Sequence, residues 1–260
     1  MCCATWRLAQ PDSYAVAGTA AMKTEVFADA DAVASRAAAF MAEESRAAVA
    51  AHRCFVMAVS GGHTPWVMLR ALTVQDVPWE HVHVFQVDER VAPLGDADRN
   101  LTHLRESLLE HAPLRPEQIY PMPVECPDLA VAAGRYAARL REIAGSPPVL
   151  DLVHLGLGPD GHTASLVPGD SVLDVTDADV ALAGAYQGRR RMTLTYPTLN
   201  RARRVLWVVT GDDKAEMLGR LRARDPAIPA GRVRQENAVV LTDRAAARAL
   251  GTAPALSAGR

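Results

Sequence analysis

Four short apolar runs constrain this chain more than any other feature. Arg53–Ser60 (RCFVMAVS), His81–Val87 (HVHVFQV), Leu152–Leu155 (LVHL) and Arg204–Thr210 (RVLWVVT) are rich in β-branched and aromatic residues and too short for helices. They are apolar on both faces, so each reads as a buried strand. Longer stretches with helical patterning lie between them. Asp29 can cap an alanine-rich helix to about His52. Pro65 opens a helix through Leu72, and Asn100 caps one through about Glu110. Pro127–Ala144, with Asp128 as cap, Asp212 to about Arg224 and Asp243–Leu250 complete the set. Strands that alternate with helices argue for an α/β fold, a mostly parallel open sheet with helices on both faces. Minor strands are expected at Thr24–Ala28 and Ala238–Leu241, and a pair at Val180–Tyr186 and Arg190–Tyr196. Asp88–Asn100 reads as a polar loop.

The chain has 260 residues, enough for a sizeable core. No internal repeat or clear linker divides it, so residues 24–250 read as a single domain. Residues 1–23 lack periodicity and read as a disordered extension, and 251–260 as a loose tail. A net charge of −2 gives no bulk attraction to nucleic acid or anionic membrane, and no apolar run is long enough to span a bilayer. Neither is expected as a partner. Of the four cysteines none shows metal spacing, and Cys54 sits inside an apolar run. A reduced, cytoplasmic protein is the simplest reading, as a monomer or at most a homodimer. Only Lys23 and Lys214 are lysines, which makes a lysine in a loop worth noting.

In an open parallel sheet, ligands bind beyond the carboxyl ends of the strands. Four suggestive loops fall there. Ser60–Pro65 (SGGHTP) places Gly61, Gly62 and Thr64 before a helix, where free N–H groups can meet an anion. An ordinary strand-to-helix turn would look the same. Asp88-Glu89-Arg90 follows the third run, and Gly211–Lys214 the last. Arg90, Arg191 and Lys214 are candidate phosphate ligands, since guanidinium and ammonium groups suit phosphate oxygens. Each could equally be a solvated surface residue. Asp88 and Glu89 would be a counter-charge and a structural partner.

The fourth loop is the richest. Asp151–Gly169 (DLVHLGLGPDGHTASLVPG) runs from a strand into glycines and presents Asp160 and His162. Gly156-x-Gly158-x-x-Gly161 matches a dinucleotide fingerprint, but Pro159 and Pro168 leave no room for the helix that fingerprint needs. An imidazole titrates near neutrality and an acid two residues away can orient it, so His162 is the candidate general base. No Gly-x-Ser-x-Gly elbow supports a serine nucleophile. What remains is metal-free base chemistry beside an anion site.

These motifs resemble the 6-phosphogluconolactonases and the superfamily they share with glucosamine-6-phosphate deaminase. The resemblance covers about residues 24–250. It rests on VSGGHTP (59–65), VDERVAP (87–93) with Asn100, LGLGPDGHTASLVPG (155–169), RRMTLTYPTLN (190–200) and VTGDDKAEML (209–218). It implies a three-layer α/β/α fold, no cofactor, no metal, and hydrolysis of 6-phospho-D-glucono-1,5-lactone, a small sugar-phosphate lactone. It implies His162 as the base with Asp160 beside it and Asp88 as an active-site acid. Arg90, Arg191 and Lys214 would contact the phosphate or sugar, and Gly61, Gly62 and Thr64 would line the pocket. Deaminases usually carry tyrosine where this chain has Arg90, and a catalytic glutamate where it has Val167. Val167 also replaces a common phenylalanine, and Arg99 a common serine; both read as drift at the pocket edge. An amino-sugar-phosphate deaminase or isomerase, or a non-enzymatic sugar-phosphate sensor, are the rival expectations. The first 23 residues are too short and unpatterned for a sensor's DNA-binding motif.

Overall fold

The computed structural model describes residues 22–251, and the remainder of the expected extension and tail lies outside the described residues. The first strand starts one residue earlier than expected. Met22 is buried and Lys23 opens the first strand. In chain order the elements are β1 (Lys23–Phe27), α1 (Ala30–His52), β2 (Phe55–Val59), α2 (His63–Leu72), β3 (Val82–Gln86) and β4 (Asp88–Arg90). Then come α3 (Asn100–Leu104), β5 (Ile119–Tyr120), α4 (Leu129–Ala144), β6 (Leu152–Leu155), β7 (Val180–Tyr186) and β8 (Arg189–Leu194). α5 (Tyr196–Arg201), β9 (Arg204–Val209), α6 (Ala215–Arg222), β10 (Ala238–Asp243) and α7 (Arg244–Ala247) complete the order.

Seven strands form one sheet in the order β1-β10-β9-β6-β2-β3-β5, and every pairing in it is parallel. The apolar runs are continuous because both faces are covered, yet side chains still alternate between layers. Phe55, Met57 and Val59 pack with Val33, Ala37 and Met41 of α1 and with Met68, Leu69 and Leu72 of α2. Val56, Ala58, Val153 and Trp207 face the other way, against Tyr136 and Leu140 of α4, Leu199 of α5 and Leu218 of α6. Each buried Val, Leu, Phe or Met among these contributes about 1.5–3 kcal/mol relative to exposure. The two layers of helices follow from this alternation. The expected caps are in place: Asp29 accepts from Ala32 N at 2.9 Å, and Asp128 from Ala130 N at 2.9 Å and Val131 N at 3.0 Å.

Several details differ from the sequence reading, among them helix α5, which takes up Tyr196 where a strand was expected. The expected loop at Asp88 begins as a strand. β4 joins β8 and β7 in a separate three-stranded sheet, antiparallel throughout. Three polar residues carry no hydrophobic period, so this strand is created by its partner and not by local propensity. Asn100 does not cap its helix; Arg99 holds the cap position, and the helix passes into a π-turn over Arg105–Leu109. The two-residue edge strand β5 was not anticipated.

In the main sheet β9, β6, β2 and β3 are consecutive neighbours. The four loops singled out from the sequence therefore leave adjacent strands at one end of the sheet.

Candidate active site

Those loops enclose a cleft of about 440 Å³. Gly61, Gly62, Thr64, Asp88, Arg90, His162, Arg191 and Lys214 all line it. Asp160 stands behind His162, bound to the ring. The small antiparallel sheet supplies Asp88, Arg90 and Arg191, and the parallel sheet supplies the rest.

His162 is held by its own loop. Gly158 N donates to His162 O at 2.8 Å, Gly161 N to Gly158 O at 3.0 Å, and Thr163 Oγ1 to Gly156 O at 2.8 Å. No helix starts at these glycines, as the prolines imply. Gly158 has a steric purpose: a β-carbon there would stand 2.0 Å from His162 Nδ1. The Nδ1 atom lies 2.5 Å from Asp160 Oδ1, and the same oxygen accepts from His162 N at 3.1 Å. Burial works to raise the Asp160 pKa, but these two bonds, the imidazole and the Tyr186 hydroxyl together hold it below the ordinary carboxylate value. An ionised Asp160 fixes the Nδ1–H tautomer and leaves Nε2 with its lone pair free to take a proton.

Arg191 and Arg90 are partly desolvated cations. Arg191 is buried, with Nη2 donating to Tyr186 O at 3.3 Å and Gln187 Oε1 at 3.4 Å. Arg90 Nη1 donates to Asp98 O at 2.7 Å. Among the described residues neither guanidinium has a carboxylate at ion-pair distance, and the Nε of each is buried without a hydrogen-bond partner. Burial first, and the neighbouring positive charge of Arg90 second, lower the Arg191 pKa, with Asp88 acting in the opposite sense. Buried charges are ordinarily paired. Two such cations beside an open cleft present unused donors of the kind that suit an anion. Lys214, in contrast, pairs with Asp213 at 2.9 Å.

Asp88 has both oxygens engaged. Ser165 Oγ donates to Oδ2 at 2.6 Å and Asn100 Nδ2 approaches Oδ1 at 3.3 Å. Glu89 is fully buried and structural, as expected of one of the two acids. It accepts from Asn100 N, Leu101 N and Arg90 N at 2.7–2.8 Å, and pairs with Arg99 at 3.1 Å. Arg99 is therefore not at the pocket edge but at 0 % exposure, bridging Glu89 and Glu125. Val167 is also buried and does not line the cleft. On the first loop, a β-carbon on Gly61 would meet Asn100 Oδ1 at 2.0 Å. Thr64 Oγ1 hydrogen-bonds Thr210 Oγ1 at 2.7 Å. Ser60 N donates to His154 Nδ1 at 3.2 Å, and burial pushes the His154 pKa down to about 3, so that imidazole is neutral.

Sequence reasoning missed Tyr186, at the end of β7. Its hydroxyl donates to Asp160 Oδ2 at 3.0 Å and lies 3.4 Å from His162 Nδ1. The available signal was weak: a tyrosine in a chain with 5 % aromatic residues, just before the Gln187-Gly188 turn. Among the described residues, His52, Cys54 and Asp151 could together hold a metal ion. They lie at the opposite end of the sheet, and Asp151 is already bonded to Val56 N, His52 and Arg203.

The profile of the glucosamine-6-phosphate isomerases/6-phosphogluconolactonase family matches residues 28–242. A 6-phosphogluconolactonase of Mycobacterium tuberculosis is 36% identical over 240 residues, 87% of this chain and 97% of that protein. One from Synechocystis is 39% identical over 171 residues, 64% of this chain and 71% of its own length. Among solved structures, 6-phosphogluconolactonase from Trypanosoma brucei superposes with a TM-score of 0.77 at 25% identity, covering 88% of this chain and 98% of that one.

Proposed function

The chain belongs to the glucosamine-6-phosphate isomerase/6-phosphogluconolactonase family, and on that premise we propose that it hydrolyses 6-phospho-D-glucono-1,5-lactone to 6-phospho-D-gluconate in the oxidative pentose phosphate pathway. The observation that carries this reading is the pairing of two unneutralised, partly buried arginines with a histidine whose Nδ1 is anchored to a carboxylate. One recognises a phosphate; the other activates water.

Arg90 and Arg191 hold the phosphate, with Lys214 turning from Asp213 to join them. Gly61, Gly62 and Thr64 shape the floor of the cleft. His162 Nε2 takes a proton from the water that attacks the C1 carbonyl. Asp160 stabilises the resulting imidazolium. As the tetrahedral intermediate collapses, the bond from C1 to the ring oxygen breaks, and the histidinium returns its proton to that oxygen. General-base help of this kind contributes ~10²–10⁴-fold. Phosphate binding remote from the carbonyl contributes orientation. Asp88 is the acid of the site through its charge beside Arg191, with Ser165 and Asn100 fixing its oxygens. No step calls for a cofactor or metal. Val167 offers no carboxylate for deaminase chemistry.

The same reading includes a cytoplasmic enzyme, monomeric or at most dimeric. The small number of cysteines, four in 260 residues, supports the first, and light scattering tests the second. Among the described residues no helix is long and apolar enough to cross a membrane. The deciding experiment supplies fresh lactone from glucose-6-phosphate dehydrogenase and subtracts spontaneous hydrolysis. Acceleration by catalytic amounts of protein is the expected result. A rate equal to the spontaneous one, or ammonia release from glucosamine 6-phosphate, would overturn the reading.

A further inference from the structure

Tyr186 lies between the two halves of the site, and no motif predicts it. Its hydroxyl donates to Asp160 Oδ2 at 3.0 Å. The same oxygen lies 3.4 Å from His162 Nδ1, and the two rings meet edge to face with centroids 5.1 Å apart. On its other side, the Arg191 guanidinium sits over the tyrosine ring at 5.0 Å and donates to the Tyr186 carbonyl at 3.3 Å. The strand irregularity between Ala183 and Tyr186 places the residue here, off the regular β7–β8 register.

We propose that Tyr186 is a positioning residue that couples the anion-binding Arg191 to the general base His162, by fixing from the opposite sheet the Asp160 carboxylate that orients the His162 ring and by moderating its charge. This rests on the function proposed above. The charged and titratable groups concerned are Asp160 and Arg191, which touch the tyrosine, and Arg90, Asp88 and Lys214, which line the same cleft. Burial, then the hydrogen bond and charge of Asp160, raise the phenol pKa, so Tyr186 remains a neutral donor through the working range. Its donated hydrogen bond draws negative charge from Asp160. Without it, Asp160 would attract the His162 Nδ1 proton more strongly and stabilise the imidazolium before the reaction, while the carboxylate itself would lose the contact that fixes its Oδ2.

The test is Tyr186→Phe in the full chain, which keeps the ring and the stacking of Arg191. The expected kcat is about tenfold lower, the size of one hydrogen bond to a charged group, with KM within about twofold by the same reasoning. The acid limb of the kcat/KM profile should move to higher pH. Nitrogen-15 spectra of the His162 ring, recorded without substrate, should show the Nδ1–H tautomer in both proteins and a ring that protonates at higher pH in the variant than in the parent. An unchanged acid limb with unchanged ring spectra, or a loss confined to KM, would overturn the proposal. His162→Asn separates the two ideas. If that variant is inactive while Tyr186→Phe behaves as the parent, only the coupling fails. If it keeps the parent rate, the base assignment itself is wrong.

Discussion

Arg90 and Arg191 are directly opposed in the antiparallel ladder between β4 and β8. Like charges in that position are destabilising. The ladder tolerates them here beside a cleft, with no carboxylate at ion-pair distance from either among the described residues. A bound dianion reverses the sign of the interaction, since each guanidinium then has a partner for its unused N–H groups.

Inorganic phosphate should therefore raise the melting temperature of the protein. At a hundredfold excess over its Kd the gain is about 2.7 kcal/mol. Arg191→Met removes one charge while keeping an unbranched side chain. It should melt at or above the parent temperature without phosphate and lose most of the phosphate-dependent gain. Thermal scans with and without phosphate decide it; an undiminished gain would move the anion site elsewhere.

On the proposed mechanism, in which the imidazole acts on water and other loops hold the phosphate, His162→Asn should lower kcat by ~10²–10⁴-fold and leave KM nearly unchanged. Steady-state kinetics with freshly generated lactone make the measurement.

Gly158→Ala tests the loop without touching a reactive group. Its β-carbon would stand 2.0 Å from His162 Nδ1 and 2.7 Å from Asp160 Oδ1, so the dyad must shift. Displacement of a catalytic group by about 1 Å can cost ~10²-fold. The expected result is a large fall in kcat with a folded, phosphate-binding protein. Parent-like turnover would mean that the dyad tolerates displacement.

His154 predicts the acid sensitivity of the fold. The unfolded imidazole takes up a proton near pH 6.5, the folded one only near 3. Between those values the unfolded chain binds more protons, so stability is lost as pH falls. The slope from this residue alone is about 1.4 kcal/mol per pH unit once below its unfolded pKa. His154→Asn retains an acceptor for Ser60 N but does not titrate. Its urea midpoint should fall less between pH 7 and pH 5, as read from parallel denaturation curves.

The buried strands were legible because continuous apolar runs of strand length have few other interpretations. Asp160 and His162 were legible for a related reason: glycines and prolines after such a strand exclude regular structure and force polar side chains into a loop. Loops on consecutive strands then meet without further information. β4 was not legible, since Asp88-Glu89-Arg90 becomes a strand only when β8 arrives from a hundred residues later. Tyr186 is hidden for the same reason, as its partner Asp160 lies in a loop that leaves a strand of the other sheet. Arg99 shows the limit of reading polar residues as surface. Its burial depends on Glu89 and Glu125, and that three-way contact has no local signature.

The two sheets meet along a seam, joined where Leu194 N donates to Val87 O at 2.8 Å, Ser165 to Asp88 and Tyr186 to Asp160. The arginines ride on one side of that seam and the histidine on the other. On the proposed function, the span from anion to reacting carbon is thus set by how one sheet is seated on its neighbour. Exchanging side chains within either half would tune the strength of a contact but not this length. On that reading a longer or shorter phosphoester would call for re-seating the small sheet as a body, and the seam, more than any pocket residue, would be the gauge of substrate size.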